Sequence, residues 1–425
     1  MEDPAGTGRG LMNAKGRIAV AAAAIVALAV MGALATFGKS VAPAVAQAID
    51  PDTAKMMAGD RTADAYLARA FDDISRERFD LAQGEIDALL KVKPNFRLAH
   101  LIKGDLLLVR ARPVNAIGAV KNAPSDRLEG LRAEAIARLR AYRERPRADL
   151  VPRYLMQMRD DQKYAIVVDT HRSRLYLYQN VDGRPRFVAD YYVSSGKNGA
   201  AKRREGDEKT PVGVYHVVAS LPRQKLSDFY GTGAFPIDYP NEWDRLQGRN
   251  GHGIWLHGVP SDTYSRPPRA SNGCVVLANA DLDAIARDLQ VGLTPVIISE
   301  DVEWTSVDDW AHERKAFQAQ LEQWRADWES RDADRYLGHY SPHFRAGSED
   351  LAAWSRHKRL VNTGKTWIKV GVRNVSMFRN PGKEDLVVVT FDQDYRSNNL
   401  SNTMRKRQYW AREGGTWRIV YEGSA

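Results

Sequence analysis

Cysteine is almost absent from this chain of 425 residues, in which Cys274 is the only one. One thiol cannot form an internal disulfide, and it cannot supply a cysteine-rich zinc cluster. Compositional bias is absent too: hydrophobic residues at 44% and charged residues at 27% are ordinary for globular proteins, which excludes wholesale disorder and fibrous repeats. The single cysteine is therefore either a small buried apolar residue or a nucleophile.

The chain also lacks an acidic excess and any long run of one charge sign. Its 62 Lys and Arg residues outnumber 53 Asp and Glu, which gives a net charge of +9. Such a charge favours anionic surroundings without choosing among phospholipid, glycan and nucleic acid. Because the positive charge is scattered rather than gathered in a tail, we expect no nucleic-acid partner.

The N-terminal region carries the longest apolar run, an uncharged stretch over residues 18–37. Three basic residues precede it: Arg9, Lys15 and Arg17. Twenty helical residues span about one hydrocarbon core, and the basic side stays in the cytoplasm, so the run predicts an anchor with the chain from Lys39 exported. A signal peptide cleaved at Ala44-Val45-Ala46 is the alternative, and it exports the same part of the chain.

Hydrophobic periodicity divides the rest of the chain. Apolar residues recur every three to four positions from residue 62 to about 142. The period changes at Tyr164, and Tyr164–Tyr178 consists of two β-rich runs around a short polar turn, which predicts a hairpin. We predict a multidomain fold with these parts: a cytoplasmic stub and membrane segment (1–39), a tether (40–61), a small α-helical domain (62–150), a mostly-β domain (163–300) and an α+β domain (305–425).

Within the helical section, Phe79, Ala82, Leu89 and Pro94 stand in the order of one tetratricopeptide-like helix pair. One degenerate copy leaves two interpretations open. The section packs on its neighbour or on a second copy of the chain, or it is a stalk without a partner.

The last section begins with long helices and ends in four strand-like runs. Trp324, Trp328, Tyr336 and Tyr340 have spacings that place them on one helical face. Helices followed by antiparallel strands predict a helix packed into a curved sheet.

Chemically, the most informative stretch contains His257-Gly258 and, thirteen residues on, Ser271-Asn272-Gly273-Cys274. A thiolate attacks acyl carbon far faster than a thiol does, so a catalytic cysteine needs a base nearby. Gly273 allows a tight turn that aims consecutive N–H groups at an oxyanion. Cysteine and histidine alone leave a buried structural thiol as the alternative.

These residues resemble the hallmark of the L,D-transpeptidase (YkuD-like) catalytic domain, in which His-Gly precedes [ST]-x-G-C. Other landmarks of that family occur in the expected order: Ser194–Lys197 resembles its S-x-G-K turn, Thr210–Tyr215 its T-P-x-G-x-[FY] segment, and Tyr239-Pro240-Asn241 with Asp244-Arg245 the Y-P-N…D-R stretch of one branch. The resemblance covers about residues 163–300.

The resemblance implies a role for each site residue. Cys274 is the nucleophile, His257 its base, and the Gly258 carbonyl holds the imidazole tautomer. The Gly273 and Cys274 N–H groups bind the oxyanion, while Ser271 and Asn272 position the loop or the substrate.

The sequence departs from the family where many members carry Arg two residues after the cysteine, since Val276 stands there. Arg269 and Arg266 are the substitute candidates for a cationic substrate contact, and solvated loop charges are the alternative. Tyr239 and His252 complete the tentative substrate contacts. We expect no metal pair, because His252 and His257, five apart on a strand, point to opposite faces. We expect no cofactor either.

The C-terminal section, which ends in Gly415-x-Trp417-x-Ile419-Val420, resembles an NTF2-like domain. The whole order of domains is similar to cell-shape-determining L,D-carboxypeptidases of curved and helical Gram-negative bacteria. The resemblance implies a periplasmic enzyme, anchored in the inner membrane unless the signal is cleaved, that acts on peptidoglycan stem peptides. The expected partner is a second copy of the chain or a cell-wall protein, bound through the helical or the NTF2-like domain. The expected reaction is an L,D-transpeptidation; an L,D-carboxypeptidase and a non-catalytic wall-binding scaffold are the alternatives.

Overall fold

The computed structural model describes residues 60–114, 116–118, 124–382 and 385–425. The predicted membrane segment (18–37) and nearly all of the predicted tether lie outside these residues. In the described part, no helix has both the length and the apolar character needed to cross a membrane. The described residues form two compact units, one containing those up to residue 143 with residues 262–264, the other those within 144–261 and 265–425.

The first unit is helical. Its helices are α1 (Ala63–Ser75), α2 (Phe79–Val92), α3 (Arg97–Val109) and α4 (Ser125–Arg143). The Thr62 hydroxyl caps α1 by accepting a hydrogen bond from the Ala65 N–H (3.3 Å). Leu67, Ile86 and Ile102, one from each of the first three helices, are buried in a common core, as the sequence periodicity predicts.

A charged residue also lies inside this unit. Arg138 is buried, and its guanidinium donates to Asp64 (2.6 Å) and to Glu134 (2.9 Å). It stacks over the rings of Phe96 and Tyr264, which contact each other at 4.6 Å. Two carboxylates and two rings thus compensate the desolvated cation.

The second unit contains a ten-stranded sheet. Its strands are β2 (Tyr164–Asp169), β3 (Arg174–Val181), β4 (Arg184–Gly196), β5 (Gly213–His216), β6 (Leu221–Pro222), β7 (Gly233–Pro236), β8 (Trp255–His257), β9 (Arg269–Ser271), β10 (Val275–Leu277) and β11 (Pro295–Ser299). The spatial order is β5-β11-β2-β3-β4-β10-β8-β7-β6, and β9 pairs with β4. Two short helices, α5 (Glu242–Leu246) and α6 (Asn279–Ala286), interrupt the strands.

Strand β2 shows why this sheet is buried on both faces. Ile166 and Val168 belong to one apolar core, whereas Ala165 and Val167 belong to another. Side chains alternate between the faces of a strand, so an unbroken apolar run fills two cores at once.

The C-terminal section follows a two-stranded pairing of β1 (Leu150–Pro152) with β12 (Trp304–Ser306). Its elements are α7 (Val307–Glu329), α8 (Ala333–Leu337), β13 (Tyr340–Ala346), β14 (Glu349–Asp350), α9 (Leu351–Thr363), β15 (Ile368–Arg379), β16 (Leu386–Ser397), β17 (Ser401–Glu413) and β18 (Thr416–Ser424). Its six strands have the order β14-β13-β18-β17-β16-β15, and the first helix packs against β15.

The prediction that four aromatic residues share one helix is wrong, although they do meet. The chain breaks after α7, where Arg331 has a left-handed φ of 64°. Asp332 then caps α8 through bonds from the N–H groups of the second and third residues after it. The Trp324 ring nevertheless contacts the rings of Trp328 and Tyr336, with centroid distances of 5.4 and 6.5 Å, because the short helix folds back onto the long one.

A shared core makes one unit of the β-rich section and the C-terminal section. Val167 and Tyr178 of the first join Phe378, Val388 and Tyr409 of the second in a single buried cluster. The ten-stranded sheet therefore packs against the C-terminal section through this shared core.

Candidate active site

The sheet brings the predicted base and nucleophile together. β8 and β10 are parallel neighbours, with Leu256 opposite Val275 and His257 opposite Val276. Cys274 directly precedes β10, so it enters the sheet beside the strand that ends at His257.

The turn before Cys274 is held by Ser271. The Ser271 hydroxyl donates to the Cys274 carbonyl (2.6 Å) and accepts from the Gly273 N–H (3.1 Å). Gly273 has a φ of 123°, and a Cβ there would lie 2.7 Å from the Lys209 carbonyl. Only glycine fits this position without a shift of the backbone. Since its N–H is already bonded to Ser271, the expected use of the Gly273 N–H in an oxyanion hole is not what this arrangement shows.

Two of the other family-like motifs, Ser194–Lys197 and Thr210–Tyr215, connect to the same turn. The Thr210 hydroxyl accepts from the Gly196 N–H (2.9 Å), and the Lys197 N–H donates to the Ser271 carbonyl (2.8 Å). Hydrogen bonds thus connect three segments that are far apart in sequence to one another at the turn before Cys274.

His257 is buried, with 1% of its surface exposed. Its Nδ1 lies 2.7 Å from the Gly258 carbonyl oxygen. A carbonyl only accepts, so Nδ1 carries the proton and Nε2 is left as the basic nitrogen. Burial, with a smaller contribution from the Arg266 charge, lowers the pKa of His257 to about 4 against the opposing Gly258 bond.

The thiol is half-buried, and its Sγ donates to the Gly253 carbonyl at 3.4 Å. Burial raises the pKa of Cys274, while the Trp255 N–H and the charges of Arg266 and Lys202 act in the opposite direction. At neutral pH the resting pair is therefore a thiol and a neutral imidazole. For Cys274 to attack an acyl carbon, its proton therefore has to pass to a base such as Nε2 of His257.

Of the two arginine candidates, Arg266 lies at the site. Its guanidinium sits over the Phe229 ring at 4.5 Å, and its charge acts on both the thiol and the imidazole. Arg269 begins β9, is exposed, and lines a cavity of about 800 Å³ together with Lys202 and Arg249.

The remaining tentative substrate contacts lie elsewhere. Tyr239 is 5% exposed, and its hydroxyl donates to the Asn250 carbonyl (2.9 Å), so we assign it to the core rather than to the substrate. His252 is exposed in the loop before β8, with Nδ1 3.6 Å from a carboxylate oxygen of Glu205. That placement corrects the expectation that it shares a strand with His257. Asn272 is exposed at the turn.

Sequence reasoning missed two aromatic residues that contact the imidazole. Phe229 and Tyr230 lie in a short 3₁₀ helix, and their rings are 5.8 Å and 5.1 Å from the His257 ring. The sequence carries no signal for them, because the turn is short and Phe229 is half exposed. Lys202, whose charge acts on the Cys274 thiol, was also missed.

Comparison with known families agrees with this geometry. Residues 163–298 match the L,D-transpeptidase catalytic domain (YkuD), and residues 316–423 match the C-terminal NTF2-like domain described for Cds6. The chain carries a YkuD-type L,D-transpeptidase catalytic domain followed by an NTF2-like domain. Both resemblances inferred from the sequence are thereby confirmed, and the YkuD domain is of a catalytic, peptidoglycan-modifying type.

Solved structures share this pair of domains. Bd1075 of Bdellovibrio bacteriovorus is 28% identical, with a TM-score of 0.58 over 65% of this chain and 98% of that one. The helical cell shape determining protein Pgp2 of Campylobacter jejuni is 25% identical, with a TM-score of 0.54 over 63% of this chain and 95% of that one. A search of curated protein sequences finds no match.

Proposed function

We propose that this protein is a peptidoglycan L,D-transpeptidase that forms an acyl-enzyme on Cys274. The observation that carries the proposal is the only cysteine of the chain, set in a YkuD domain beside a buried histidine whose Nδ1 bonds to a backbone carbonyl. A wall-binding scaffold does not need such a pair, so the enzyme is favoured over that alternative.

In the first step the Cys274 sulfur attacks the carbonyl at the L-centre of the diamino acid in a tetrapeptide stem. Nε2 of His257 takes the thiol proton as the carbon–sulfur bond forms, then gives it to the leaving amine, and D-alanine departs. The Cys274 N–H is the remaining donor of the turn for the oxyanion, since that of Gly273 is bonded to Ser271.

In the second step an amine from a neighbouring stem, or from a protein to be attached, takes the acyl group and regenerates the thiol. The direct product between stems is a 3–3 cross-link. Arg266 is the cation placed to meet a substrate carboxylate, because its charge acts on the thiol and it lies in the segment between β8 and β9, next to both catalytic strands.

Water as the acceptor is the second candidate, which makes the enzyme an L,D-carboxypeptidase that trims tetrapeptides to tripeptides. The domain order shared with a helical cell shape determining protein favours it. Both reactions share the acyl-enzyme and differ only in what reaches the thioester.

The products of the full chain with tetrapeptide muropeptides separate these reactions. The transpeptidase yields 3–3 dimers by mass spectrometry when acceptor stems are abundant, whereas the carboxypeptidase yields tripeptide monomers alone. Failure to form either product would contradict both enzymes and leave the scaffold.

We also propose that the protein works in the periplasm, held at the inner membrane by residues 18–37. Two arguments support this location: the proposed substrate is peptidoglycan, and basic residues precede the apolar run. The test is fractionation of cells that express the full chain. Recovery of the protein with soluble periplasmic contents would instead indicate a cleaved signal, and recovery in the cytosol would contradict the proposal.

A further inference from the structure

The side-chain amide of Asn279 joins two loops beside the catalytic histidine. Asn279 is the first residue of α6, and only Ala278 separates it from β10, the strand that follows Cys274. Its Oδ1 accepts from the Val259 N–H (3.0 Å) and from the Thr232 N–H (3.3 Å), and its Nδ2 donates to the Val259 carbonyl (2.9 Å). One amide therefore uses both its acceptor and its donor on backbone groups.

Two glycines make room for this amide. A Cβ on Gly258 would lie 2.1 Å from the Asn279 Oδ1, and a Cβ on Gly231 would lie 2.0 Å from it. No side chain fits either position while the amide is there. The backbone on both sides is thus packed directly on Asn279.

Each of the joined loops contacts His257. The Gly258 carbonyl accepts from Nδ1 of the imidazole, and the Gly258 N–H donates to the Tyr230 carbonyl (3.0 Å). The second loop carries the Phe229 and Tyr230 rings, which pack on the imidazole. A shift of either loop would move a group that orients His257.

We propose that Asn279 is the positioning residue for His257: it holds the Gly258–Val259 backbone so that the Gly258 carbonyl keeps the imidazole proton on Nδ1, leaving Nε2 free to take the proton of Cys274. The inference rests on the proposed function, in which His257 is the base. A backbone carbonyl orients a histidine only if its own backbone segment is fixed. The bonds of Asn279 fix that segment here.

Asparagine suits this role because it accepts and donates at the same place. Alanine removes all three bonds. Aspartate keeps an acceptor for the two N–H groups but loses the donor to the Val259 carbonyl, and it brings a negative charge near the imidazole. Such a charge favours the imidazolium, so the two variants have different signatures.

A matched control is available in the same unit. Asn180 is half-buried like Asn279 and also joins backbone segments: its Nδ2 donates to the Arg159 and Gln162 carbonyls (2.8 and 2.9 Å), and its Oδ1 accepts from the Gly183 N–H (2.9 Å). Asn180→Ala removes an equivalent set of bonds at a site that holds no catalytic group.

The experiment compares the full chain with its Asn279→Ala, Asn279→Asp and Asn180→Ala variants. The tautomer of His257 is observed by ¹⁵N–¹H correlation spectra of ¹⁵N-histidine protein without substrate, and its signal is assigned by loss in His257→Gln. Turnover of a tetrapeptide muropeptide is measured against pH in parallel.

We expect the Nδ1–H tautomer in the wild type and in Asn180→Ala. Asn279→Ala gives a mixture of tautomers and a kcat lower by about tenfold to a hundredfold with little change in KM. In Asn279→Asp the acid limb of the pH profile moves to higher pH.

A pure Nδ1–H tautomer with unchanged kcat in Asn279→Ala, or the same losses in Asn180→Ala, would overturn the inference. Should the alanine variant not fold, the test relies on Asn279→Asp, and an unshifted pH profile of that variant would overturn the inference. The proposed function fails separately: a wild type without muropeptide turnover contradicts that proposal, while the tautomer spectra still test the role of Asn279.

Discussion

Acid should destabilise the second unit through His257 in particular. The pKa of this residue is lowered to about 4, from about 6.5 for an ordinary histidine, because the ring is buried. Below pH 6.5 His257 is therefore protonated in the unfolded chain but stays neutral in the folded chain. The free energy of unfolding falls until the pH reaches the pKa of His257 in the folded state. The contribution is fully present above pH 6.5 and is lost between there and about pH 4.

The size of the effect follows from the two pKa values. Lowering the pH from 7 to 4.5 removes about 2 kcal/mol of unfolding free energy through His257 alone, at about 1.4 kcal/mol for each pKa unit. Carboxylates titrate in the same range, so the wild type must be compared with His257→Gln, which keeps a polar side chain but cannot be charged.

Urea denaturation at both pH values, followed by tryptophan fluorescence, measures the difference. The wild type should lose about 2 kcal/mol more than His257→Gln on acidification. Equal losses in the two proteins would refute the argument that His257 is held neutral by burial.

Three other substitutions test further parts of the account. Arg266→Gln removes a charge that lowers the pKa of Cys274, so alkylation of this only cysteine by iodoacetamide should have its midpoint at higher pH; an unmoved midpoint would place the guanidinium too far away to act. Gly273→Ala puts a Cβ 2.7 Å from the Lys209 carbonyl, and the displaced turn should lower kcat about a hundredfold, whereas near-normal turnover would show that the turn tolerates a side chain. Trp324→Ala empties a fully buried site and should lower the unfolding free energy by about 3–5 kcal/mol in urea titrations, and a loss below about 1 kcal/mol would contradict its place in the core.

Sequence patterns were informative where one local rule decides the structure. The two β-rich runs from Tyr164, with a polar turn between them, predict the β2–β3 hairpin that the structure contains, and His257 and Cys274 are indeed at the ends of neighbouring strands. The turn residue Gly273 could be predicted as well, because a positive φ is a property of the residue itself.

Patterns failed where tertiary packing decides. Helical spacing alone joined Trp324 to Tyr340, but a left-handed residue and a cap at Asp332 end the helix between them. Tyr239 stands in a family-like motif and yet serves the core, since its neighbours, not its type, determine its exposure. Phe229 contacts the His257 ring, and Asn279 bonds to the backbone of Val259 close to it. Both placements depend on the folded sheet, so no spacing along the chain reveals them.

The acyl-enzyme on Cys274 is the central claim, and intact-protein mass spectrometry tests it most directly. The full chain is mixed with a tetrapeptide muropeptide, quenched in acid during turnover and weighed, beside Cys274→Ala as the control. The account predicts a wild-type adduct equal to the muropeptide less D-alanine, mapped to Cys274, and neither adduct nor products from the variant. An adduct or products that persist in Cys274→Ala would contradict it.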